Sequence, residues 1–161
     1  MGPPPQESWS IINSSGTQFR DFPGVALAPN TWQQLVGVYN GSDLLVYLNG
    51  KQIGSPVKAD GLITFNGATI SGTKPVTSGP NCNPISGNLA NIQIYNTSLS
   101  ANEIQALYQE GIGGAPIDLQ NLVAWWPLNG NANDYSGNGY NGQINGGVTF
   151  VSNWWSGYTP P

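Results

Sequence analysis

The side chains that could perform acid–base chemistry in this 161-residue chain are few and far apart. The chain has eight acidic residues and no histidine, which excludes Ser-His and Cys-His nucleophiles. Hydrolysis of a glycosidic bond needs two carboxylates roughly 5–10 Å apart. Glu103 and Glu110 fall on one expected helix, Glu7 lies near the N-terminus, and each aspartate stands alone in an expected turn. We therefore expect no enzymatic activity and keep glycoside hydrolysis as the last alternative.

One loop of the sequence collects oxygen donors that calcium could use. Asn131, Asn133, Asp134 and Asn138 lie close together, and calcium accepts carboxylate and amide oxygens. The alternative, which we favour because a single carboxylate makes a poor site, is that these side chains bond their own backbone as Asx turns. A zinc site is excluded because Cys82 is the only cysteine. We expect no cofactor, and calcium near Asp134 if a divalent metal binds.

Six tryptophans and seven tyrosines provide ring faces on which a sugar could stack. Alternation along Leu122–Leu128 puts Trp126 on one side and Trp125 on the other, so one ring is core and the other faces outward or lies under a loop. The cluster Trp154–Tyr158 is harder to explain as core, because prolines follow it immediately. Packing is still the commoner role of an aromatic residue on a strand. The candidate carbohydrate-binding residues are Trp125, Tyr135, Tyr140, Trp154, Trp155 and Tyr158.

Three sequons, at Asn13, Asn40 and Asn96, lie in expected turns where a glycan could be attached. Such triplets arise by chance in a chain with 19 asparagines. They are consistent with an extracellular location.

The charge content excludes several classes of partner. Only 7% of the residues are charged, against a typical ~25%, and four basic residues face eight acidic ones. A nucleic-acid binder needs a basic face, and so does a protein that binds an anionic membrane surface. The longest apolar run, Leu122–Leu128, is too short to span a bilayer. We expect no nucleic-acid partner and no membrane insertion.

The turn-forming residues indicate an all-β chain. There are 22 glycines and 13 prolines, which favour many short strands. Asn-Gly pairs predict type I′ hairpins after Trp32–Tyr39, Asp43–Leu48 and Leu62–Phe65, with Ala68–Ile70 completing the last hairpin. Asp43–Leu48 has two apolar faces and should be central. The remaining predicted strands are Trp9–Ile12, Thr17–Phe19, Gly87–Tyr95 (with Ala90, Ile92 and Ile94 buried), Leu122–Leu128 and a short pair within Gln143–Val151.

A single short helix is predicted near residues 101–110. Ser100 and Glu103 have the spacing of a capping box, in which each satisfies a free backbone donor of the other. Apolar residues follow Ile104 at helical spacing, and Gly111 can end the helix.

Three stretches together resemble the laminin-G-like, concanavalin A-like jelly rolls. Residues 31–50 are similar to the central hairpin of that family, residues 87–108 to its closing strand and helix, and residues 122–142 to its opening strand and first loop. The resemblance implies an antiparallel β-sandwich of the lectin and glucanase type.

The order of these motifs is unusual, because the opening motif follows the closing one. Residues 1–161 could form one permuted domain, with the main sheets and helix in 8–110, a linker at 111–121, and 122–161 completing the fold. Alternatively, 122–161 begins a next tandem repeat. The family's opening strand lies beside its closing strand. We therefore predict that Leu122–Leu128 pairs with Gly87–Tyr95, either within one chain or between chains in a head-to-tail assembly.

These observations predict a non-catalytic extracellular or cell-surface module for adhesion or carbohydrate binding, with a glycan or a cell-surface protein as partner. The main alternative is a purely structural repeat, or a strand-donating subunit of a surface filament or layer.

Overall fold

The computed structural model describes residues 6–12, 18–63 and 87–151 of the chain. Within these ranges lie seven strands and one helix, and every strand pair is antiparallel, which confirms the all-β class. The elements are β1 (Gln6–Ile12), β2 (Gln18–Ala26), β3 (Leu35–Tyr39), β4 (Asp43–Leu48), β5 (Lys51–Lys58), β6 (Ile92–Tyr95), α1 (Ala101–Glu110) and β7 (Leu122–Trp126). They form three sheets, β1–β2, β3–β4–β5 and β6–β7.

The central sheet confirms the predicted position of β4. Leu44, Val46 and Tyr47 are buried, although they point to both faces of the strand, and β4 lies between β3 and β5. The turn between β4 and β5 is the predicted type I′ turn, because Asn49 and Gly50 both have positive φ, 51° and 75°.

The turn between β3 and β4 differs from the prediction. Its centre is Gly41-Ser42, and Gly41 is the residue with positive φ, 98°. The N–H of Asn40 donates to the carbonyl of Asp43 (3.2 Å), so these two residues close the turn. The Asn40 side chain also accepts from the N–H groups of Ser42 and Asp43, which places the asparagine before the turn.

Strand β5 was not predicted, because Gly54 and Pro56 interrupt its pattern. Proline is tolerated in a strand at the margin of a sheet, and β5 is outermost in its sheet, with a register shift opposite Leu44 and Val46. The predicted strand Leu62–Phe65 is wrong for its first two residues, which lie outside any strand and are exposed. Its remainder, and Ala68–Ile70, lie outside the described residues.

The N-terminal hairpin confirms the two strands predicted upstream and extends both. Ile12 pairs with Gln18, and Gln6 pairs with Ala26 at the far end. The register shifts between Glu7 and Trp9, opposite Phe22–Gly24, which contains a proline that cannot donate to the ladder.

Helix α1 begins with the predicted capping box. The N–H of Ser100 donates to Glu103 Oε2 (2.7 Å), and the N–H of Glu103 donates to Ser100 Oγ (3.3 Å). The hydrogen bonds from Ser100 lower the pKa of Glu103 below its ordinary value. Gly111 ends the helix with φ 78°. At ten residues α1 is too short to cross a membrane, and no other helix occurs among the described residues.

The main core joins this helix to the central sheet. Ile104 is fully buried and packs with Val38, Tyr47 and Leu99. Partly buried side chains surround this cluster, namely Val36, Leu45, Tyr95 and Leu107. Because Tyr95 belongs to β6, the same core also fixes the β6–β7 sheet.

Strand β7 pairs with β6 in the same chain, as predicted for the opening and closing strands. Ile92 pairs with Trp126 and Ile94 with Ala124, so these four side chains share one face of the sheet. On that face Ala124 and Trp126 are buried, whereas all four residues of β6 are half-buried. Strand β6 is also shorter than Gly87–Tyr95. The division of residues 1–161 into one domain or two repeats stays a prediction.

The predicted strand pair within Gln143–Val151 is wrong. These residues form no strand, and the side chains of Ile144, Val148 and Val151 are about half exposed. A strand needs a partner for its backbone groups, and no described segment pairs with this one.

Replacing Gly50 with alanine should destabilise the fold more than replacing Gly41. A Cβ at Gly50 would lie 2.8 Å from Gln105 Oε1 and 3.1 Å from Tyr108 Cβ, whereas one at Gly41 meets nothing within 4 Å. Positive φ costs both variants about 1 kcal/mol, and overpacking costs Gly50→Ala about 1–3 kcal/mol more. Urea unfolding of both variants measures this difference, and equal losses would contradict the packing of the turn against α1.

Deleting residues 118–161 should leave the rest of the chain unfolded or aggregated. The deletion removes β7, and with it the strand that hydrogen-bonds β6 and packs beside Ile92 and Ile94. Circular dichroism and size-exclusion chromatography of the 1–117 fragment measure the effect. A monomeric fragment that unfolds cooperatively would show that β7 belongs to a separate unit.

Candidate functional site

The edge of β7 that faces away from β6 is covered by the 129–142 loop. The N–H of Trp125 donates to Asp134 Oδ1 (2.9 Å), and the N–H of Tyr135 donates to the carbonyl of Trp125 (2.8 Å). Further along, Ser136 Oγ and Asn138 Nδ2 donate to the carbonyl of Val123 (3.1 and 2.9 Å). The loop therefore satisfies backbone groups that another strand would otherwise bond.

Asp134 holds this loop together through both carboxylate oxygens. Oδ1 accepts from the N–H groups of Trp125 and Ser136, and Oδ2 accepts from Ser136 Oγ and the N–H of Tyr140, each at 2.9 Å. Partial burial opposes ionisation, but these hydrogen bonds outweigh it and hold the pKa of Asp134 below its ordinary value of 3.8. Asp134 is thus an ionised acceptor with four donors, one of which closes an Asx turn to Ser136.

The other predicted calcium ligands also have backbone partners. Asn131 Oδ1 accepts from the N–H of Asn133 (2.9 Å), and Asn138 presents its Nδ2 group to two carbonyls of β7. Residues 6–12, 18–63 and 87–151 contain no group of three acidic, histidine or cysteine side chains that could hold a metal. A calcium ion at Asp134 would have to displace hydrogen-bond donors. Calcium binding there stays a prediction.

On the face of the β6–β7 sheet opposite Ile92 and Trp126, Trp125 lines a small open cleft of about 80 Å³. Trp125 is partly buried, and its ring meets that of Tyr135 edge to face, with centroids 6.1 Å apart and planes inclined at 64°. The residues lining the cleft are Asn91, Ile112, Gly113, Gly114, Trp125, Pro127 and Asn129.

A chain of amide hydrogen bonds fixes the orientation of Trp125. Its Nε1 donates to Asn91 Oδ1 (2.8 Å), which also accepts from Gln93 Nε2 (3.0 Å). Asn91 Nδ2 in turn donates to the carbonyl of Gly114 (2.9 Å), and Asn91 has positive φ, 50°. Because Nε1 is already bonded, a ligand in the cleft meets the ring of Trp125 and not its N–H.

Tyr95 ends this chain of hydrogen bonds. Its hydroxyl donates to Gln93 Oε1 (2.7 Å). Burial raises the pKa of Tyr95 to about 12, the charge of Asp118 acts in the same direction, and a hydrogen bond with the backbone of Ile117 opposes them. The tyrosine stays a neutral donor, and the network carries no charge.

The structure brings together two of the predicted aromatic candidates, Trp125 and Tyr135. Tyr140 lies on the same loop with 47% of its surface exposed, but its ring does not line the cleft. Its carbonyl accepts from the buried Trp126 Nε1 (2.7 Å). The candidates Trp154, Trp155 and Tyr158 lie outside the described residues.

Sequence reasoning missed Asn91, Gln93 and the contribution of Gly114. The sequence did place these side chains together, because Asn91, Gln93 and Tyr95 alternate on one face of the closing strand.

Of the predicted glycosylation sites, Asn40 and Asn96 are exposed. Asn13 lies outside the described residues.

Three more carboxylates have identified partners. Asp43 pairs with Lys58 (2.8 Å), and hydrogen bonds from Lys58 and Ser42 lower the pKa of Asp43. Asp118 accepts from Asn121 Nδ2 at both oxygens (3.2 and 3.0 Å), and Glu103 belongs to the capping box. None of these groups lines the cleft.

A laminin G family model, described as the concanavalin A-like lectin/glucanases superfamily, matches residues 2–105, well over half of the chain. The chain belongs to this superfamily. The match covers β1 to β6 and the start of α1, whereas β7 and the 129–142 loop lie beyond it. Superfamily membership and the antiparallel sheets together confirm the predicted β-sandwich class.

Among solved structures, the chain is similar to residues 221–444 of an S-layer domain-containing protein from Clostridium thermocellum, with 22% identity and a TM-score of 0.43. The alignment covers 56% of this chain and 44% of that one, so the chain spans less than half of its length. A search of curated proteins finds no match.

Replacing Asp134 with asparagine should destabilise the fold by about 1–3 kcal/mol near neutral pH, because an N–H₂ group would face two backbone donors. Since folding lowers the pKa of Asp134, its ionised form stabilises the fold above about pH 4, and this contribution is lost as the pH falls below that value. The difference between wild type and variant should therefore shrink in acid. Denaturant unfolding from pH 2.5 to 7 measures it.

Glu110→Gln is the matched control, because it removes one negative charge from an exposed residue outside the loop. The same samples test calcium. A melting temperature that rises with millimolar calcium in the wild type, and not in Asp134→Asn, would show that the ion displaces the loop donors. Equal stability of Asp134→Asn and the wild type at pH 7 would contradict the structural role of Asp134.

Proposed function

We propose that this chain is a non-catalytic carbohydrate-binding or adhesion module that works outside the cell, and that the Trp125 cleft is its binding site. The observation that carries the proposal is a tryptophan ring lining an open cleft, with its N–H held by Asn91. The remaining polar groups around the ring are amides and backbone carbonyls.

Sugar rings suit this chemistry because they are both apolar and polar. Their C–H faces pack against aromatic rings, and their hydroxyls both donate and accept hydrogen bonds. Trp125 and Tyr135 supply two inclined aromatic surfaces, and the exposed side chain of Asn129 lies at the cleft with an amide that can donate and accept. The lectin-type superfamily is consistent with this proposal.

The described carboxylates support a non-catalytic role. Glu103, Asp43, Asp118 and Asp134 each have a structural partner, and none of them lines the cleft. General acid–base hydrolysis of a glycoside would need two carboxylates facing one another across the substrate.

The extracellular location has its own support. It draws on the superfamily, on the exposed sequons at Asn40 and Asn96, and on a surface with few charges. The partner is a glycan, free or carried by a cell-surface protein.

Replacing Tyr135 with alanine should weaken glycan binding about 3- to 10-fold, because it removes the ring that packs against Trp125 and extends its aromatic surface. Tyr135 is 53% exposed, so the free energy of unfolding should change little. A glycan array finds the ligand, and calorimetric titration of the best one compares the variants.

Tyr140→Ala is the matched control, since its side chain is exposed to a similar extent. Neither tyrosine lines the cleft directly, but the ring of Tyr135 packs against Trp125, which does. A triple alanine variant at Trp154, Trp155 and Tyr158 tests the other aromatic candidates. Loss of binding in either of these variants with Tyr135→Ala unaffected would move the site away from Trp125. A wild-type chain that binds no glycan would refute the proposed function.

A further inference from the structure

We propose that Asn129, which lines the Trp125 cleft, is a site of spontaneous deamidation, and that Asn145 is a second one. Deamidation converts the side-chain amide of asparagine into a carboxylate and releases ammonia. It is favoured where glycine follows asparagine, because glycine lacks the Cβ that would hinder the reaction. The sequence contains seven such Asn-Gly pairs, whose asparagines are Asn40, Asn49, Asn66, Asn129, Asn138, Asn141 and Asn145.

The reaction joins two groups of the same Asn-Gly pair. The backbone nitrogen of the glycine attacks Cγ of the asparagine, an N–Cγ bond forms, and the Cγ–Nδ2 bond breaks as ammonia leaves with the proton of that nitrogen. Water then opens the resulting cyclic imide at one of its two carbonyls and gives either aspartate or isoaspartate. The asparagine side chain must therefore be free to turn towards the next backbone nitrogen.

Six of the pairs lie in the part of the chain that the structure describes, and hydrogen bonds hold the asparagine side chain in four of them. In the turns of the central sheet, Asn40 Oδ1 accepts from the N–H groups of Ser42 (3.0 Å) and Asp43 (2.8 Å). Asn49 Oδ1 accepts from the N–H of Gln34 (2.9 Å). Ring closure at either asparagine would first have to break these bonds.

In the 129–142 loop, two further asparagines are held in the same way. Asn138 Nδ2 donates to two backbone carbonyls of β7 (3.1 and 2.9 Å). Asn141 Oδ1 accepts from the N–H of Asp134 (2.9 Å). The N–H of Gly142, the attacking group of that pair, itself donates to a backbone carbonyl (2.7 Å). Both reacting groups of the Asn141 pair are therefore engaged.

Asn129 and Asn145 are not held. Among the residues that the structure describes, neither side chain has a hydrogen-bond partner, and the N–H groups of Gly130 and Gly146 donate to no acceptor. A Cβ built on either glycine would meet nothing within 4 Å, so no neighbouring atom obstructs ring closure. Exposure does not make this distinction, because three of the four held asparagines are exposed as well.

At Asn129 the product changes the cleft. The amide of Asn91, the other polar side chain of the lining, is already bonded at both its oxygen and its nitrogen. The Asn129 amide both donates and accepts, whereas a carboxylate only accepts, so deamidation removes a donor and adds a negative charge there. Asn145 does not line the cleft. The effect on binding rests on the proposed function, and the modification itself does not.

The test compares deamidation of the full chain when folded and when unfolded in guanidinium chloride. Both samples are incubated at alkaline pH, which favours loss of the proton from the attacking nitrogen, and peptide mapping by mass spectrometry follows aspartate and isoaspartate at each pair. All six pairs should react at similar rates in the unfolded chain. In the folded chain the four held pairs should slow about 2- to 10-fold for each hydrogen bond that must break, whereas Asn129 and Asn145 stay close to their unfolded rates.

Gly130→Ala and Gly146→Ala are the matched controls, since each adds a methyl group beside the attacking nitrogen and should slow only the asparagine before it. Isoaspartate at Asn129 would show the ring route, because direct hydrolysis gives aspartate alone. Equal rates at all six pairs in the folded chain, or faster reaction at a held pair, would overturn the proposal. Thermal unfolding checks that each alanine variant is folded.

The consequence for binding is tested with Asn129→Asp, and Asn145→Asp is its matched control. Calorimetric titration uses oligosaccharides that end in glucose, galactose or mannose. We expect Asn129→Asp alone to bind about 2- to 10-fold more weakly, the effect of one lost hydrogen bond. Equal affinities of the two variants would refute this consequence and leave the modification intact. A wild-type chain that binds none of these oligosaccharides would count against the proposed function and not against deamidation.

Discussion

The antiparallel pairing of β7 with β6 is the constraint on which the rest of this structure depends. It buries Ala124 and Trp126 beside Ile92 and Ile94 on one face, which removes their apolar surface from water. The same register sets Trp125 beside Gln93 on the other face, within reach of Asn91. The 129–142 loop then attaches to the free edge of β7 through the backbone of Trp125. The cleft, its aromatic wall and its loop are all consequences of one strand pairing.

Local chemistry explains which elements could be predicted. The capping box at Ser100 and the type I′ turn at Asn49 each depend on a few adjacent residues, so their spacing in the sequence is sufficient. Strand β5 escaped prediction because its glycine and proline are acceptable only at the margin of a sheet, a position that is set by tertiary contacts. The Asn40 turn shifted by one residue because the asparagine side chain bonds the backbone of Ser42 and Asp43.

In the candidate site, too, features set by neighbouring residues could be predicted and features set by tertiary contacts could not. Alternation along β7 predicted that one of Trp125 and Trp126 would be core, and the structure buries Trp126. The partner of Trp125 could not be read from the sequence, because Asn91 lies 34 positions away and meets it only through the strand register. Asp134 illustrates the reverse case. Its neighbours suggested both a calcium ligand and an Asx turn, and only the positions of the donors show how fully its two oxygens are used.

The superfamily match ends at residue 105, whereas most of the cleft comes from residues 112–129. Membership therefore accounts for β1 to β6, and the later residues complete the cleft that we propose as a binding site. At the cleft the indole N–H of Trp125 and the amide of Asn91 are already hydrogen-bonded, so a ligand gains few new hydrogen bonds from them. Its binding energy must come from ring contact and from exposed amides such as Asn129.

Such a site is weak as a single copy, because one ring contact contributes only about 0.5–1.5 kcal/mol beyond the area that it buries. Tight adhesion through this site would require several linked copies that bind one glycan surface. The overall affinity would then depend on the effective concentration of the copies more than on the contacts that each one makes.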